Sequence, residues 1–81
     1  MAKLRVLSGP DVLRILADFG ILKISQRGSH IKVRRVLSDG RNQNSAVPNH
    51  EEVDRGTLQA IYRRSGRFIP DVELRPRIFA D

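Results

Sequence analysis

The chain of 81 residues contains no cysteine and no tryptophan, and its aromatic residues are three phenylalanines and one tyrosine. Without cysteine, neither a disulfide framework nor a thiolate metal site can stabilise the fold. A domain of this size therefore depends on a single small hydrophobic core. None of the aromatic residues falls in a predicted strand, which argues against base stacking on a sheet of the kind used by RRM and OB domains.

Long apolar runs are also missing. No stretch approaches the ~20 apolar residues that a membrane-spanning helix needs, and the charged amino terminus does not resemble a signal peptide. We therefore expect a cytoplasmic protein with no membrane segment, and the lack of cysteine agrees with a reducing compartment. The chain has no Walker loop, no GxGxxG and no HExxH sequence, so no nucleotide or metalloprotease site is predicted and no cofactor is expected.

Positive charge is concentrated in the first part of the chain. The formal net charge is +6, and residues 1–50 carry all of it, with nine Lys and Arg against three Asp and Glu. Residues 51–81 contain six of each. A localised basic region is typical of proteins that bind a polyanion such as nucleic acid, although it can also serve solubility alone.

Two helices are predicted from capping residues and apolar stripes. The first starts near Ser8, has Pro10 in its first turn, and ends at Gly20. The second is capped by Asp54 or Thr57 and ends at Gly66. Apolar residues at helical spacing are Val12, Ile15, Leu16 and Phe19 in the first helix and Leu58, Ile61 and Tyr62 in the second.

Between these helices, apolar and polar residues alternate as in strands. Two strands joined at Arg27-Gly28 form a predicted antiparallel hairpin, and a more polar third strand runs from Arg41 to Val47 and ends at Pro48. Pleating places Leu22, Ile24, Ile31 and Val33 on the side facing the first helix. It places Lys23, Ser25, His30, Lys32 and Arg34 on the opposite side. The fold class is therefore predicted to be α+β, with helices on one face of a three-stranded antiparallel sheet.

The segment after Gly66 contains two prolines and no sustained periodicity. It is predicted to be irregular, so the chain divides into a domain of residues 1–66 and a C-terminal segment of residues 67–81. The segment is too apolar for a disordered tail, and we expect it to dock on the domain or on another chain, in which case it could support a homo-oligomer.

The chain has two histidines, His30 and His50. His30 lies on the predicted basic face, where neighbouring cations favour the neutral imidazole that can accept a proton. The same cations could hold a phosphate and offset charge that develops during phosphoryl transfer. His30 is therefore a candidate catalytic residue, and a surface histidine without a catalytic role is the alternative.

His50 has acidic neighbours, Glu51, Glu52 and Asp54. That setting suits a helix cap or a structural hydrogen bond. The spacing of the two histidines and these carboxylates matches no recognised ligand pattern, so no metal site is predicted.

Several short motifs occur in an order typical of one protein family. They are Asp11-Val12-Leu13 in the capped helix, Phe19-Gly20 at its end, Gly28-Ser29-His30, Val47-Pro48 followed by His50, and Gly56-Thr57-Leu58 leading to Ile61. Over about residues 8–66 the chain resembles the HicA toxins of bacterial toxin–antitoxin pairs. It departs from that family in the polar sequence before Val47 and in the segment after Gly66.

The resemblance implies a fold similar to a double-stranded-RNA-binding domain, a ribonuclease activity on mRNA, and neutralisation by a HicB-like antitoxin. It places the catalytic histidine at His30, with Gly28 shaping the turn and Ser29 beside it. The implied cleavage is metal-free and proceeds through attack by the 2′-hydroxyl. The residues expected to bind RNA are Lys23, Arg27, Gly28, Ser29, Lys32 and Arg34. A non-catalytic RNA-binding module on the same fold is the alternative function, and a protein-binding module is a third.

Overall fold

A computed structural model describes residues 2–80, which form three helices and two antiparallel sheets. The element order is β1 (Lys3–Leu4), α1 (Gly9–Asp18), β2 (Leu22–Arg27), β3 (His30–Val36), β4 (Asn42–Pro48), α2 (Arg55–Ser65), α3 (Asp71–Ile78) and β5 (Phe79–Ala80). The main sheet has the order β2-β3-β4, and β1 pairs with β5. The predicted α+β class with a three-stranded antiparallel sheet is confirmed. None of the described helices is long and apolar enough to cross a membrane.

Capping side chains start the two predicted helices. At α1, the Ser8 hydroxyl accepts the Asp11 N–H at 3.1 Å while the Asp11 carboxylate accepts the Ser8 N–H at 3.0 Å, which is a complete capping box. The hydrogen bond that the Ser8 N–H donates to the carboxylate is the main cause that lowers the pKa of Asp11. At α2, the cap is Asp54 rather than Thr57, because the Thr57 N–H donates to the Asp54 carboxylate at 3.2 Å.

The hairpin of β2 and β3 turns at Gly28-Ser29, with Arg27 and His30 paired on either side. Gly28 has φ +60°, which suits the first central position of a two-residue type II′ turn. The pairing register of β2 with β3 shifts between Lys23 and Ser25, so that β2 contains a bulge at Ile24.

This bulge corrects the prediction of which β2 residues face the core. Leu22 and Ile24 were expected to be buried but are 56% and 47% exposed, and Ile21 fills the core at 1% exposure instead. Lys23 lies opposite Val33, on the helix-facing side rather than on the side of His30. A bulge adds one residue to a strand, so every side chain before it lies on the face opposite to the one that simple alternation predicts.

The core lies between the helices and one face of the main sheet. Its sheet residues include Ile31, Val33 and Val47, as alternation on β3 predicted for the first two. The helices and the segments beside them contribute Val12, Ile15, Leu16, Ile21, Val53, Leu58, Ile61, Ile69, Leu74 and Ile78. The opposite face of the sheet, which carries the exposed residues His30, Lys32, Arg34, Asn44 and Ala46, is called the outer face below.

Residues 71–80 form α3 and β5, which corrects the prediction of an irregular C-terminal segment, and only residues 67–70 of it lie outside a helix or strand; Asp81 lies outside the described residues. Helix α3 forms because Leu74 and Ile78, four residues apart, are both fully buried, and because Asp71 and Glu73 lie at its positive amino-terminal end. Pro76 removes only the hydrogen bond to the carbonyl of Val72, a residue that is 81% exposed to water. The Arg5 guanidinium donates to the Pro76 carbonyl at 3.0 Å and ties the two ends of the chain together.

Candidate active site around His30

His30 is the first residue of β3 and is exposed on the outer face of the sheet. The register places it opposite Arg27 on β2 and opposite Pro48 on β4. The Asn49 N–H donates to the Ser29 carbonyl at 2.7 Å, which extends the pairing of these strands beyond His30. The tight turn thus places His30 at the start of the middle strand, where it is paired with a strand on each side.

A groove of about 550 Å³ runs between this part of the sheet and α2. It is lined by His30, Ala46, Pro48, His50, Asp54, Gly56, Thr57, Ala60, Ile61 and Arg64. The structure therefore brings together the two histidines, which are twenty residues apart in sequence and are carried by different segments. His50 was predicted to act as a cap or structural hydrogen-bonding residue, but the cap of α2 is Asp54.

Asp54 is the acidic group of the groove. Its carboxylate accepts the Thr57 hydroxyl at 2.6 Å and the Thr57 N–H at 3.2 Å. These two hydrogen bonds, together with the nearby His50, hold the pKa of Asp54 below its ordinary value. The groove thus contains a fixed negative charge beside one of its two imidazoles.

Cations surround the other side of His30. Arg27 and Lys32 line a hollow of about 440 Å³ next to it, and Lys32 and Arg34 line another of about 480 Å³ along the outer face. Arg34 donates to the Asn44 amide oxygen at 2.8 Å. Among residues 2–80, no carboxylate lies within ion-pair distance of Arg27, Lys32 or Arg34.

Of the residues expected to bind RNA, Lys23 does not join this cluster. It lies opposite Val33, and its Nζ donates to the Gln26 side-chain oxygen at 2.8 Å. The other expected residues, Arg27, Gly28, Ser29, Lys32 and Arg34, lie on the turn or on the outer face near His30.

The comparison with protein families matches residues 9–66 to the model of the HicA toxins of bacterial toxin–antitoxin systems. The chain belongs to the HicA toxin family. No curated protein and no solved structure was found to match it. The match runs from the first residue of α1 to the C-cap of α2, so it includes His30, the whole main sheet and the groove, and it leaves α3 and β5 outside.

This HicA-family chain has further basic residues near the site, which were not predicted from the sequence. Arg63, Arg64 and Arg67 are exposed near the end of α2 and line a hollow with Asn42 and Asn44, and none of the three has an ion-pair partner within residues 2–80. Arg64 also lines the His30 groove and the hollow beside Lys32.

The sequence did contain a sign of this basic surface, since Arg63, Arg64 and Arg67 cluster at the end of a predicted helix. The net charge of residues 51–81 is zero, so the charge count did not reveal this basic surface. Glu51, Glu52 and Glu73 offset the arginines in number but line none of these hollows. Within residues 2–80, no group of three His, Asp or Glu side chains is placed to hold a metal ion.

Proposed function

We propose that this toxin-family protein is an mRNA endoribonuclease that uses His30 for proton transfer and needs no metal ion. The observation that carries the proposal is the position of His30, which is exposed at the start of the middle strand, with Arg27 and Lys32 on one side and the groove on the other. An imidazole at such a position can reach a substrate on the open face, and unpaired cations beside it can bind the scissile phosphate.

The chemistry proposed for His30 is acid–base catalysis of 2′-hydroxyl attack. The hydroxyl attacks the adjacent phosphorus, the bond to the 5′-oxygen breaks, and a 2′,3′-cyclic phosphate and a free 5′-hydroxyl result. His30 exchanges a proton with one of the two oxygens, and Arg27 and Lys32 offset the charge that develops on the phosphorane. These groups account for cleavage with protein side chains alone.

Family membership implies an antitoxin partner. We propose a HicB-like acidic protein that covers His30 and the surrounding cations, since the outer face carries the uncompensated positive charge. Cytoplasmic mRNA would be the substrate in the absence of that partner. We also propose that the C-terminal segment supports self-association. Its apolar residues Phe68 and Val72 are exposed and could form the contact.

A non-catalytic RNA-binding module is the second candidate function. The exposed basic face with Arg27, Lys32 and Arg34 favours it as well, because phosphate binding by these residues requires no chemistry at His30. The two candidates differ in whether bound RNA is cut.

A cleavage assay with purified protein and RNA separates them. We expect the wild-type chain to cut single-stranded RNA, to leave 2′,3′-cyclic phosphate ends, and to keep its full rate in the presence of excess EDTA. Binding without cleavage would select the RNA-binding module, and activity that disappears with EDTA would contradict the metal-free mechanism.

The binding surface gives a separate prediction. Lys32→Glu on the outer face should weaken RNA binding strongly and reduce the salt dependence of the affinity by the equivalent of about one phosphate contact or more. The matched control is Arg14→Glu on α1, which has the same charge change and whose side chain is 72% exposed. Equal losses of affinity in the two variants, measured by titration at several salt concentrations, would contradict a localised site.

A further inference from the structure

The groove contains a second imidazole in addition to His30. His50 lines it from the loop between β4 and α2, whereas His30 lines it from the start of β3. The two segments are joined by backbone hydrogen bonds. Asn49 donates to Ser29, and the pairing of His30 with Pro48 continues the ladder of β3 and β4. The two imidazoles are therefore held on one surface by a network that does not involve their side chains.

The backbone of His50 is anchored, but its side chain has no structural partner among residues 2–80. Its carbonyl accepts the N–H of Gly9 at 2.8 Å, which fixes the loop to the start of α1. No described residue forms a hydrogen bond with the His50 imidazole, and the residue is exposed. An imidazole that is positioned by its backbone and left unpaired in a groove is available to a ligand.

The two imidazoles differ in the charges around them. Asp54, whose carboxylate accepts two hydrogen bonds from Thr57 that lower its pKa, lies close to His50. His30 shares a hollow with Arg27 and Lys32, and no acidic residue is among the described residues that line that hollow. Arg64 on α2 also lines the groove, and the acidic Glu51 and Glu52 follow His50 in the sequence. The surroundings of the two imidazoles are therefore asymmetric, with cations beside His30 and the Asp54 carboxylate beside His50.

We propose that His50 is the general acid of the cleavage reaction, a role that rests on the endoribonuclease function proposed above. His30 accepts the proton of the 2′-hydroxyl as that oxygen bonds to phosphorus. The bond between phosphorus and the 5′-oxygen breaks, and the His50 imidazolium gives its proton to the departing oxygen. The products are a 2′,3′-cyclic phosphate and a 5′-hydroxyl, and proton exchange with water then restores both rings.

An RNA substrate with sulfur in place of the bridging 5′-oxygen tests this assignment. A thiolate is a good leaving group without protonation, so a variant that lacks only the general acid should regain its rate on this substrate. We expect His50→Ala to cut ordinary RNA at least about 10²-fold more slowly than wild type and to cut the sulfur-bridged RNA at nearly the wild-type rate. His30→Ala, which would lack the base, should remain slow on both substrates.

His50→Gln provides a second variant that keeps a polar side chain of similar size, and thermal midpoints verify that both variants are folded. Because the His50 side chain is exposed, neither substitution opens a cavity, and both midpoints should stay near that of the wild type. A wild-type rate of His50→Ala on ordinary RNA would overturn the general-acid role and leave the endoribonuclease function intact. Equal losses on both substrates would also overturn it. A wild-type protein that cuts neither substrate would instead refute the proposed function.

Discussion

Replacing His30 by alanine should lower the rate of RNA cleavage by a factor of about 10² to 10⁴, the usual contribution of an acid–base group. His30 lies exposed on the outer face of β3, opposite the side on which Ile31 and Val33 enter the core. Truncating its side chain should therefore change the free energy of unfolding by about 0.5 kcal/mol or less. The measurement pairs a single-turnover cleavage rate with a thermal midpoint for the same preparation.

RNA affinity provides the control for this variant. Arg27, Lys32 and Arg34 remain in place, so His30→Ala should bind RNA nearly as tightly as the wild type and with the same salt dependence. Loss of binding together with cleavage would indicate that His30 acts as an RNA contact. A folded His30→Ala protein that still cuts RNA at the wild-type rate would refute a catalytic role for this residue.

Gly9→Ala should destabilise the protein by about 1–3 kcal/mol, although alanine is the better helix former. Gly9 begins α1 directly against the end of β4. A Cβ atom there would overlap the Pro48 carbonyl oxygen and would lie only 3.0 Å from the Asn49 Cα and 3.2 Å from the His50 nitrogen. These are backbone atoms, so the clash can be relieved only by moving α1 away from the loop that carries His50.

Gly56→Ala is the matched control, because Gly56 also lies in the first turn of its helix, α2. A Cβ at that position would meet nothing closer than the Asp54 carboxylate at 3.5 Å, which is an ordinary contact. This variant should therefore gain about 0.5–1 kcal/mol from the reduced entropy of the unfolded chain. Thermal midpoints compare the two, at about 4–8 °C per kcal/mol for a domain of this size. A Gly9→Ala midpoint at or above the wild-type value would contradict the close packing inferred here.

Local chemistry was sufficient to predict the first two helices and the hairpin turn. The Ser8 cap, the stripe from Val12 to Leu16 and the left-handed Gly20, with φ +82°, involve residues within a few positions of one another. The same holds for the turn at Gly28. Such features form from short-range hydrogen bonds and sterics, so they can be read without knowing the rest of the fold.

Which residues of β2 face the core could not be predicted from local sequence. Alternation from Leu22 to Ser25 predicts a regular strand, but pairing with β3 introduces a bulge at Ile24 that moves Leu22 to the outer face and Lys23 to the other. A bulge depends on how two strands align, and nothing in the β2 sequence alone marks it. The C-terminal helix was missed for a related reason. The burial of Leu74 and Ile78 against the rest of the core stabilises α3 despite Pro76.

The sequence by itself determined the candidate residue His30, its basic neighbours Lys32 and Arg34 on the same strand face, and the family motifs around them. Only the tertiary structure decided that His50, Asp54 and Arg64 share a groove with His30. The physical reason is that these residues come from a loop and a helix whose positions depend on packing against the sheet. Residues on one strand have a relation set by the pleat, whereas residues on separate elements acquire theirs only when the core between those elements is formed.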